Sequence, residues 1–171
     1  MLDDVEYFFL DTGPLYANIF MALYTRFHLP VGIAVRQALE YANSYDDAVD
    51  YLQRVKLVAP VYFILAGVRP GEGVVITRDR WEPVNLWRLS ESNSWYIVET
   101  NYDHWKPVPA DDDRRGVAIR EMNQMTQRKL NPTSLFRALS KAPVNNVKTI
   151  FSTVMSARFP ELFRSWTAIR K

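Results

Sequence analysis

Cysteine is absent from the 171-residue sequence, and histidine occurs only twice, as His28 and His104. The first absence excludes disulfides, thiolate metal sites and cysteine catalysis by residues of this chain. Two histidines leave little material for a histidine-rich zinc site or for a serine–histidine catalytic triad. We therefore expect neither a metal ion nor an organic cofactor.

An excess of charge of either sign is also missing. The sequence has 21 Lys and Arg residues and 19 Asp and Glu residues, a net charge of +2. A dense basic stripe is absent, because the pair Arg114 and Arg115 directly follows aspartates at residues 111–113. We therefore expect no nucleic-acid partner. Hydrophobic residues make up 48% of the sequence, which is sufficient for a globular core.

Long hydrophobic runs do not occur. The longest uncharged run, residues 12–25, is shorter than the roughly 20 residues of a membrane-spanning helix. The first residues are acidic where a secretory leader is basic, so we expect no signal peptide in this chain. Glycosylation sequons are absent too, because Asn123 misses the pattern by one position and Asn131 is followed by proline.

The first third of the chain has helical periodicity. Residues 15–29 are rich in apolar and aromatic side chains, and a second apolar repeat covers residues 31–42. Ser44 and Asp47 have the spacing of a capping box. They predict a third helix whose apolar face lies within residues 45–55.

The middle of the chain favours strands. Residues 57–66 form a nearly continuous apolar run, which predicts a strand buried on both faces. Further strands are predicted at residues 73–80, around residues 84–87 and at residues 95–100. Turns separate these segments, so the pattern indicates an antiparallel meander.

The last third mixes both patterns. A helix is predicted near residues 114–128, and Asn131 with Pro132 marks the start of another. Residues 147–155 are strand-like, whereas residues 159–171 fit neither pattern. Helices packed on a largely antiparallel sheet define the α+β fold class, which we predict for this chain.

The most specific pattern is the segment 98–107, Val-Glu-Thr-Asn-Tyr-Asp-His-Trp-Lys-Pro, followed by Asp-Asp-Arg-Arg at residues 112–115. It resembles the acid ceramidase and N-acylethanolamine acid amidase family, in which a strand ends in T-N-Y-D-x-W and D-D-R-R follows. Four further segments resemble the same family in order and spacing: residues 44–52, 62–67, 72–80 and 149–157.

The resemblance implies an N-terminal-nucleophile hydrolase of the αββα type that releases a fatty acid from N-acylethanolamines or ceramides. In that family an autocatalytic cut exposes a cysteine that attacks the amide carbonyl, with its own α-amine as base. That cysteine, and the arginine and aspartate that follow it, have no counterpart in this sequence. We therefore expect residues 1–171 to be one partial domain, the C-terminal portion of the catalytic domain, and inactive alone.

The resemblance also nominates site residues. Asn101 of T-N-Y-D corresponds to a donor that stabilises the oxyanion, and Arg114 corresponds to an arginine in the catalytic neighbourhood. Without the motif, an asparagine at a strand end is typically a turn residue, and residues 112–115 are simply a helix start. Tyr102 and Trp105 are candidate substrate contacts, with packing as the alternative.

Phe20 and Leu23 belong to an apolar stripe in the first predicted helix. The stripe is either a core or inter-subunit face, or a lipid-contacting surface near the substrate entrance. The resemblance implies a lipid amide substrate, an N-terminal half or subunit as partner, and a lysosomal or secretory location. The alternative function is that of a homologue without the nucleophile, which binds lipid or a partner protein.

Overall fold

The structure, a computed structural model, describes residues 19–20, 23–25, 28–92 and 94–167. They form two compact units. Unit 1 contains the described residues up to Phe63 together with Val75–Leu86, and unit 2 contains Ile64–Val74 and the described residues from Trp87 onward.

Two helices of unit 1, α1 (Val31–Tyr41) and α2 (Tyr45–Arg54), pack on each other, as the periodicity predicts. α1 begins directly after Pro30, whose fixed φ suits the residue that precedes a helix. Its buried face consists of the small residues Ala34 and Ala38. Small side chains on this face allow the two helices to approach closely.

At the start of α2 the structure has one of the two hydrogen bonds of the predicted capping box. The Ser44 hydroxyl accepts a hydrogen bond of 3.1 Å from the Asp47 N–H. Asp46 and Asp47 place negative charge in the first turn, where it complements the helix dipole. Val49 and Leu52 form the buried stripe of the helix, so the predicted apolar face is confirmed.

Three consecutive strands, β1 (Val61–Ala66), β2 (Gly73–Arg78) and β3 (Pro83–Arg88), form a sheet in the order β1-β2-β3. Their connections are too short for a parallel crossover, so the strands form the predicted antiparallel hairpins. The central strand β2 is the buried one, with Val74, Val75 and Ile76 almost fully enclosed.

The prediction that residues 57–66 form a strand buried on both faces is wrong. The strand starts at Val61, and Leu57 instead makes an isolated parallel bridge with Leu29. Phe63 is buried, but Ile64 on the opposite face is 67% exposed. Burial on both faces requires a covering layer on each side of the sheet, and the described residues cover Phe63 and not Ile64.

The fourth predicted strand, residues 95–100, is also wrong. A strand needs a partner ladder, and within the described ranges this segment pairs with no strand. A side chain fixes it instead, because the Tyr96 hydroxyl donates a hydrogen bond of 2.8 Å to the Asn123 side chain. The alternating sequence pattern of residues 95–100 is therefore typical of a strand, but the segment is irregular in the structure.

Unit 2 contains α3 (Arg114–Met125) and α4 (Pro132–Leu139), which pack on each other. α4 begins with a complete capping box between Asn131 and Ser134, and Pro132 occupies its first turn. Both helix starts lie where the sequence predicts them.

Two short strands complete unit 2. β4 (Phe151–Val154) pairs antiparallel with β5 (Arg164–Thr167), so that Phe151 lies opposite Thr167. β4 is shorter than the predicted segment 147–155, and β5 lies in the tail that the sequence left undecided. α4 packs on β4, and the rings of Phe136 and Trp166 stack at 3.9 Å. The α+β fold class is confirmed. Within the described ranges, no helix is long and apolar enough to span a membrane.

Candidate active site

Asn101 lies in a bend of residues 99–106, which we call the site segment. Its side chain is exposed, and its amide group has no hydrogen-bond partner among the described residues. The bend begins where the Thr100 N–H donates a hydrogen bond of 2.8 Å to a Glu99 carboxylate oxygen. The side-chain NH2 of Asn101 is therefore available to donate two hydrogen bonds to a ligand.

A buried arginine of α3 fixes the backbone of the site segment. Arg115 donates hydrogen bonds to the carbonyl oxygens of Asp103, at 2.9 Å, and of Lys106. Its guanidinium lies 4.5 Å from the centre of the Tyr102 ring. The Asp103 carboxylate and the Lys106 ammonium form an ion pair at 3.1 Å. These contacts hold the backbone on the C-terminal side of Asn101 in one conformation.

Sequence reasoning missed the role of Arg115. It counted this arginine as neutralised by the preceding aspartates and assigned function to Arg114 alone. The structure places its guanidinium on main-chain carbonyls instead. The doubled arginine of D-D-R-R was the available signal, since two adjacent helical residues point in different directions and rarely share one role.

Arg114 opens α3 and pairs with Asp112 through two hydrogen bonds, one of 2.6 Å from Nε. Its hydrogen bonds lower the pKa of Asp112, and the same interaction raises the pKa of Arg114. The pair uses two of the five guanidinium donors, so others remain for a ligand. Asp113 occupies the N-cap position, but its side chain pairs with Arg120 and makes no cap hydrogen bond.

Tyr102 links the site segment to the start of α3. Its hydroxyl donates a hydrogen bond of 3.1 Å to the Asp112 carbonyl oxygen. Asn101 and Arg114 therefore lie on segments that are joined through their direct neighbours. Trp105 is 47% exposed and packs edge-on against His104 at 4.7 Å. Its exposed part is accessible to a substrate, whereas Tyr102 is engaged in the fold.

A buried acid–imidazole pair lies within the site segment. Glu99 Oε2 and His104 Nδ1 are 3.7 Å apart, with side chains 1% and 17% exposed. The His104 ring stacks on Trp87 of β3 at 4.1 Å. Burial raises the pKa of Glu99 and lowers the pKa of His104. Sequence reasoning assigned neither residue a role in the site.

Phe20 and Leu23 lie on short helical stretches and are 66% and 60% exposed. The Phe20 ring stacks on Tyr24 at 6.3 Å, and Tyr24 in turn contacts Trp81 edge-on. Neither residue is in the core of the part that the structure describes. Their lipid contact stays a prediction.

A cavity of about 640 Å³ opens between α3 and α4. Its lining is largely polar and contains none of the candidate site residues: Glu121, Gln124, Met125, Lys129, Asn131, Thr133, Ser134, Arg137, Ala138 and Lys141. Within the described part of the chain, no three His, Cys, Asp or Glu side chains cluster as metal ligands.

Known proteins resemble this chain closely. The N-acylethanolamine-hydrolyzing acid amidase of Oryctolagus cuniculus is 46% identical over 154 residues, which are 90% of this chain and 43% of that protein. The acid ceramidase of Mus musculus is 44% identical over 126 residues, 73% of this chain and 32% of that protein. The chain thus spans less than half the length of these curated relatives.

A solved structure agrees with the sequence similarity. The Caenorhabditis elegans N-acylethanolamine-hydrolyzing acid amidase ortholog superposes with a TM-score of 0.76 at 40% identity, covering 92% of this chain and 69% of that chain. No family model matches the sequence. The fold is accordingly that of the N-terminal-nucleophile hydrolases. By both sequence and structure, this chain belongs to the family of the N-acylethanolamine-hydrolyzing acid amidases and acid ceramidases.

Proposed function

We propose that this chain is the C-terminal portion of the catalytic domain of a lipid amide hydrolase, whose cysteine nucleophile lies in an upstream half. The complete enzyme releases a fatty acid from an N-acylethanolamine or a ceramide. The observation on which this proposal rests most is the similarity to two named hydrolases over most of the chain.

In this proposal Asn101 supplies the oxyanion donor. Attack on an amide carbonyl creates negative charge on its oxygen, and a preorganised donor stabilises that charge in the transition state. Support comes from the amide of Asn101, which has no hydrogen-bond partner among the described residues, and from the backbone next to it, which Arg115 holds. A neutral amide suits this role because it brings no charge that must be desolvated.

Arg114 has a positioning role in the proposal. Its bidentate pair with Asp112 fixes the guanidinium at the start of α3 and leaves other donors free. A guanidinium held in this way orients a carbonyl or a carboxylate near Asn101. Trp105, with its exposed ring, contributes apolar contact to the acyl chain.

The test is hydrolysis by the full-length protein, expressed from its native transcript and assayed at acidic pH with an N-acylethanolamine and with a ceramide. We expect fatty acid release from at least one substrate, and loss of release when the upstream cysteine is replaced by serine. Absence of release from both substrates by a folded, processed protein would contradict the proposal.

The second candidate, a lipid-binding homologue without a nucleophile, is favoured by the exposed apolar residues Phe20 and Leu23. Mapping of the 5′ end of the transcript separates the two functions. An upstream cysteine followed by the family's arginine and aspartate supports the enzyme. A reading frame without one supports the binding protein, which liposome co-sedimentation with a Phe20→Ser variant then tests.

We propose an acidic, lysosomal location for the complete protein, on the basis of the acid amidases and acid ceramidases that it resembles. Immunofluorescence with a tagged full-length protein and a lysosomal marker tests the location. A diffuse cytosolic signal would contradict it.

A further inference from the structure

Three buried polar atoms that have no hydrogen-bond partner in the described part of the chain lie close together in sequence within the site segment. They are Glu99 Oε2, Thr100 Oγ1 and His104 Nδ1. Native proteins leave few buried polar atoms unpartnered, because each such atom costs the free energy of its lost hydration. The presence of three such atoms beside Asn101 therefore needs a physical explanation.

The Glu99 and His104 atoms face each other. Their separation of 3.7 Å exceeds the roughly 2.7–3.2 Å of a normal hydrogen bond, so the contact is a near approach rather than a closed bond. Stacking of the imidazole on Trp87 fixes the ring plane. A proton between the two atoms satisfies both at once, because one atom then donates and the other accepts.

The charged groups around the pair are limited in number. Arg115 of α3 opposes protonation of both residues, and Asp103 favours it. Asp103 is itself ion-paired with Lys106. Burial raises the pKa of Glu99 and lowers that of His104, so the two values approach each other. Two ionisable groups titrate as a pair when they interact strongly, and the 3.7 Å separation of Glu99 and His104 places them within reach of such an interaction.

We propose that Glu99 and His104 are positioning residues that share one proton at acidic pH and thereby hold the site segment in the conformation that presents Asn101. The proposal rests on the proposed amidase function, in which Asn101 is the oxyanion donor. As the pH rises, the shared proton leaves to solvent and a buried carboxylate remains beside a neutral imidazole. The Nδ1–H of the neutral imidazole can still donate to this carboxylate, but the pair now carries a buried negative charge, which destabilises this conformation of the segment.

The experiment uses the full-length protein with ¹⁵N-labelled histidine and ¹³C-carboxyl-labelled glutamate, followed by NMR over an acidic-to-neutral titration. His104→Asn assigns the imidazole signals, because it removes the signals of His104 and introduces no group that titrates. In the parent protein we expect Glu99 and His104 to share a midpoint. Glu99→Gln shifts the His104 midpoint by about one pH unit or more.

Kinetics supply the second readout. Glu99→Gln should flatten the fall of kcat toward neutral pH, and His104→Asn should lower kcat at acidic pH several-fold with KM little changed. Glu161→Gln, on an exposed side chain, is the matched control and should leave the profile unchanged.

The proposal would be overturned if Glu99 and His104 titrate with separate midpoints in the parent protein. It would also be overturned if the His104 midpoint does not change in the Glu99→Gln variant. A bridging water in place of a shared proton gives this second result. If the full-length protein hydrolyses no amide, the proposed function fails, whereas the NMR titration still decides whether the pair shares a proton.

Discussion

Two arginines, Arg78 and Arg115, have buried guanidinium groups that bind main-chain carbonyls. Arg78 lies in β2 and donates to the carbonyls of Leu52 and, at 2.8 Å, of Val55. These carbonyls belong to the last turn and C-cap of α2, where no helical N–H follows to satisfy them. Burial lowers the pKa of Arg78. Arg78 thus replaces the missing backbone donors at the end of α2, whereas Arg115 adds a second donor to the Asp103 carbonyl, which also accepts from the Lys106 N–H.

Substitution Arg78→Met keeps an apolar stem in place but leaves these carbonyls unpartnered. We expect the free energy of unfolding of the full-length protein to fall by about 2–4 kcal/mol, because hydrogen bonds from a charged donor are lost in a buried site. Denaturant titration measures the change. Arg36→Met, at an exposed arginine paired with Glu40, is the control and should change stability by less than about 0.5 kcal/mol. Equal effects of the two substitutions would refute this role of Arg78.

The raised pKa of Glu99 makes stability depend on pH. A raised folded pKa gives a contribution that is present below the ordinary glutamate pKa and is lost as pH rises through the folded value. The pKa of His104 is lowered, so the contribution of His104 to the stability of the folded protein is lost in the opposite direction, as the pH falls. Glu99→Gln removes the titrating carboxyl group, and with it the loss of stability that rising pH causes. We therefore expect the Tm of the variant, relative to that of the parent protein, to increase as the pH rises. A Tm difference that does not change with pH would contradict this role of Glu99.

The helix starts that depend on neighbouring residues lie where the sequence predicts them. α2 and α4 begin directly after Ser44 and Asn131, whose side chains cap the first turn. Capping depends on residues within one turn, so the sequence alone identifies it. The errors at Ile64 and at residues 95–100 have another origin, because burial and strand pairing depend on distant parts of the chain.

Replacement of Asn131 by alanine removes the capping box of α4. We expect the free energy of unfolding to fall by about 1 kcal/mol, within the range measured for N-cap substitutions. Asn145→Ala, at an exposed asparagine outside the helices, serves as the matched control. Thermal unfolding of both variants in the full-length protein provides the comparison, and loss of stability in the control alone would contradict the assignment.

The candidate site was predictable only in part. The motif identifies Asn101 and Arg114, because their residue types and spacing match a known family. The anchoring by Arg115 and the contact between Glu99 and His104 depend on how the site segment folds back on α3 and β3. No local pattern specifies such contacts, so the structure was required to find them.

Apolar side chains remain exposed across both units. Ile64 and Val84 belong to the three-stranded sheet, and Ile150 and Phe151 lie at the start of β4. The curated relatives are more than twice as long as the part that this chain matches. Our proposal of an upstream half gives these side chains a covering partner, since large exposed apolar patches mark interaction surfaces.

Expressed alone, the 171-residue chain should therefore self-associate and should not hydrolyse amides. Size-exclusion chromatography with light scattering is expected to show species larger than the 19.9 kDa monomer. Co-expression with the upstream half should restore a defined complex and activity. A stable, active monomer of the isolated chain would rule out the requirement for an upstream half.

The most direct test of Asn101 as the oxyanion donor is kcat of the full-length protein with Asn101→Ala, measured beside Asn145→Ala at acidic pH. We predict a loss of about 10²–10³ in kcat with KM nearly unchanged, because the amide acts on charge that develops only in the transition state. Asn145→Ala should match the parent protein. A kcat for Asn101→Ala within a few-fold of the parent, in a variant that is processed and folded, would contradict the account.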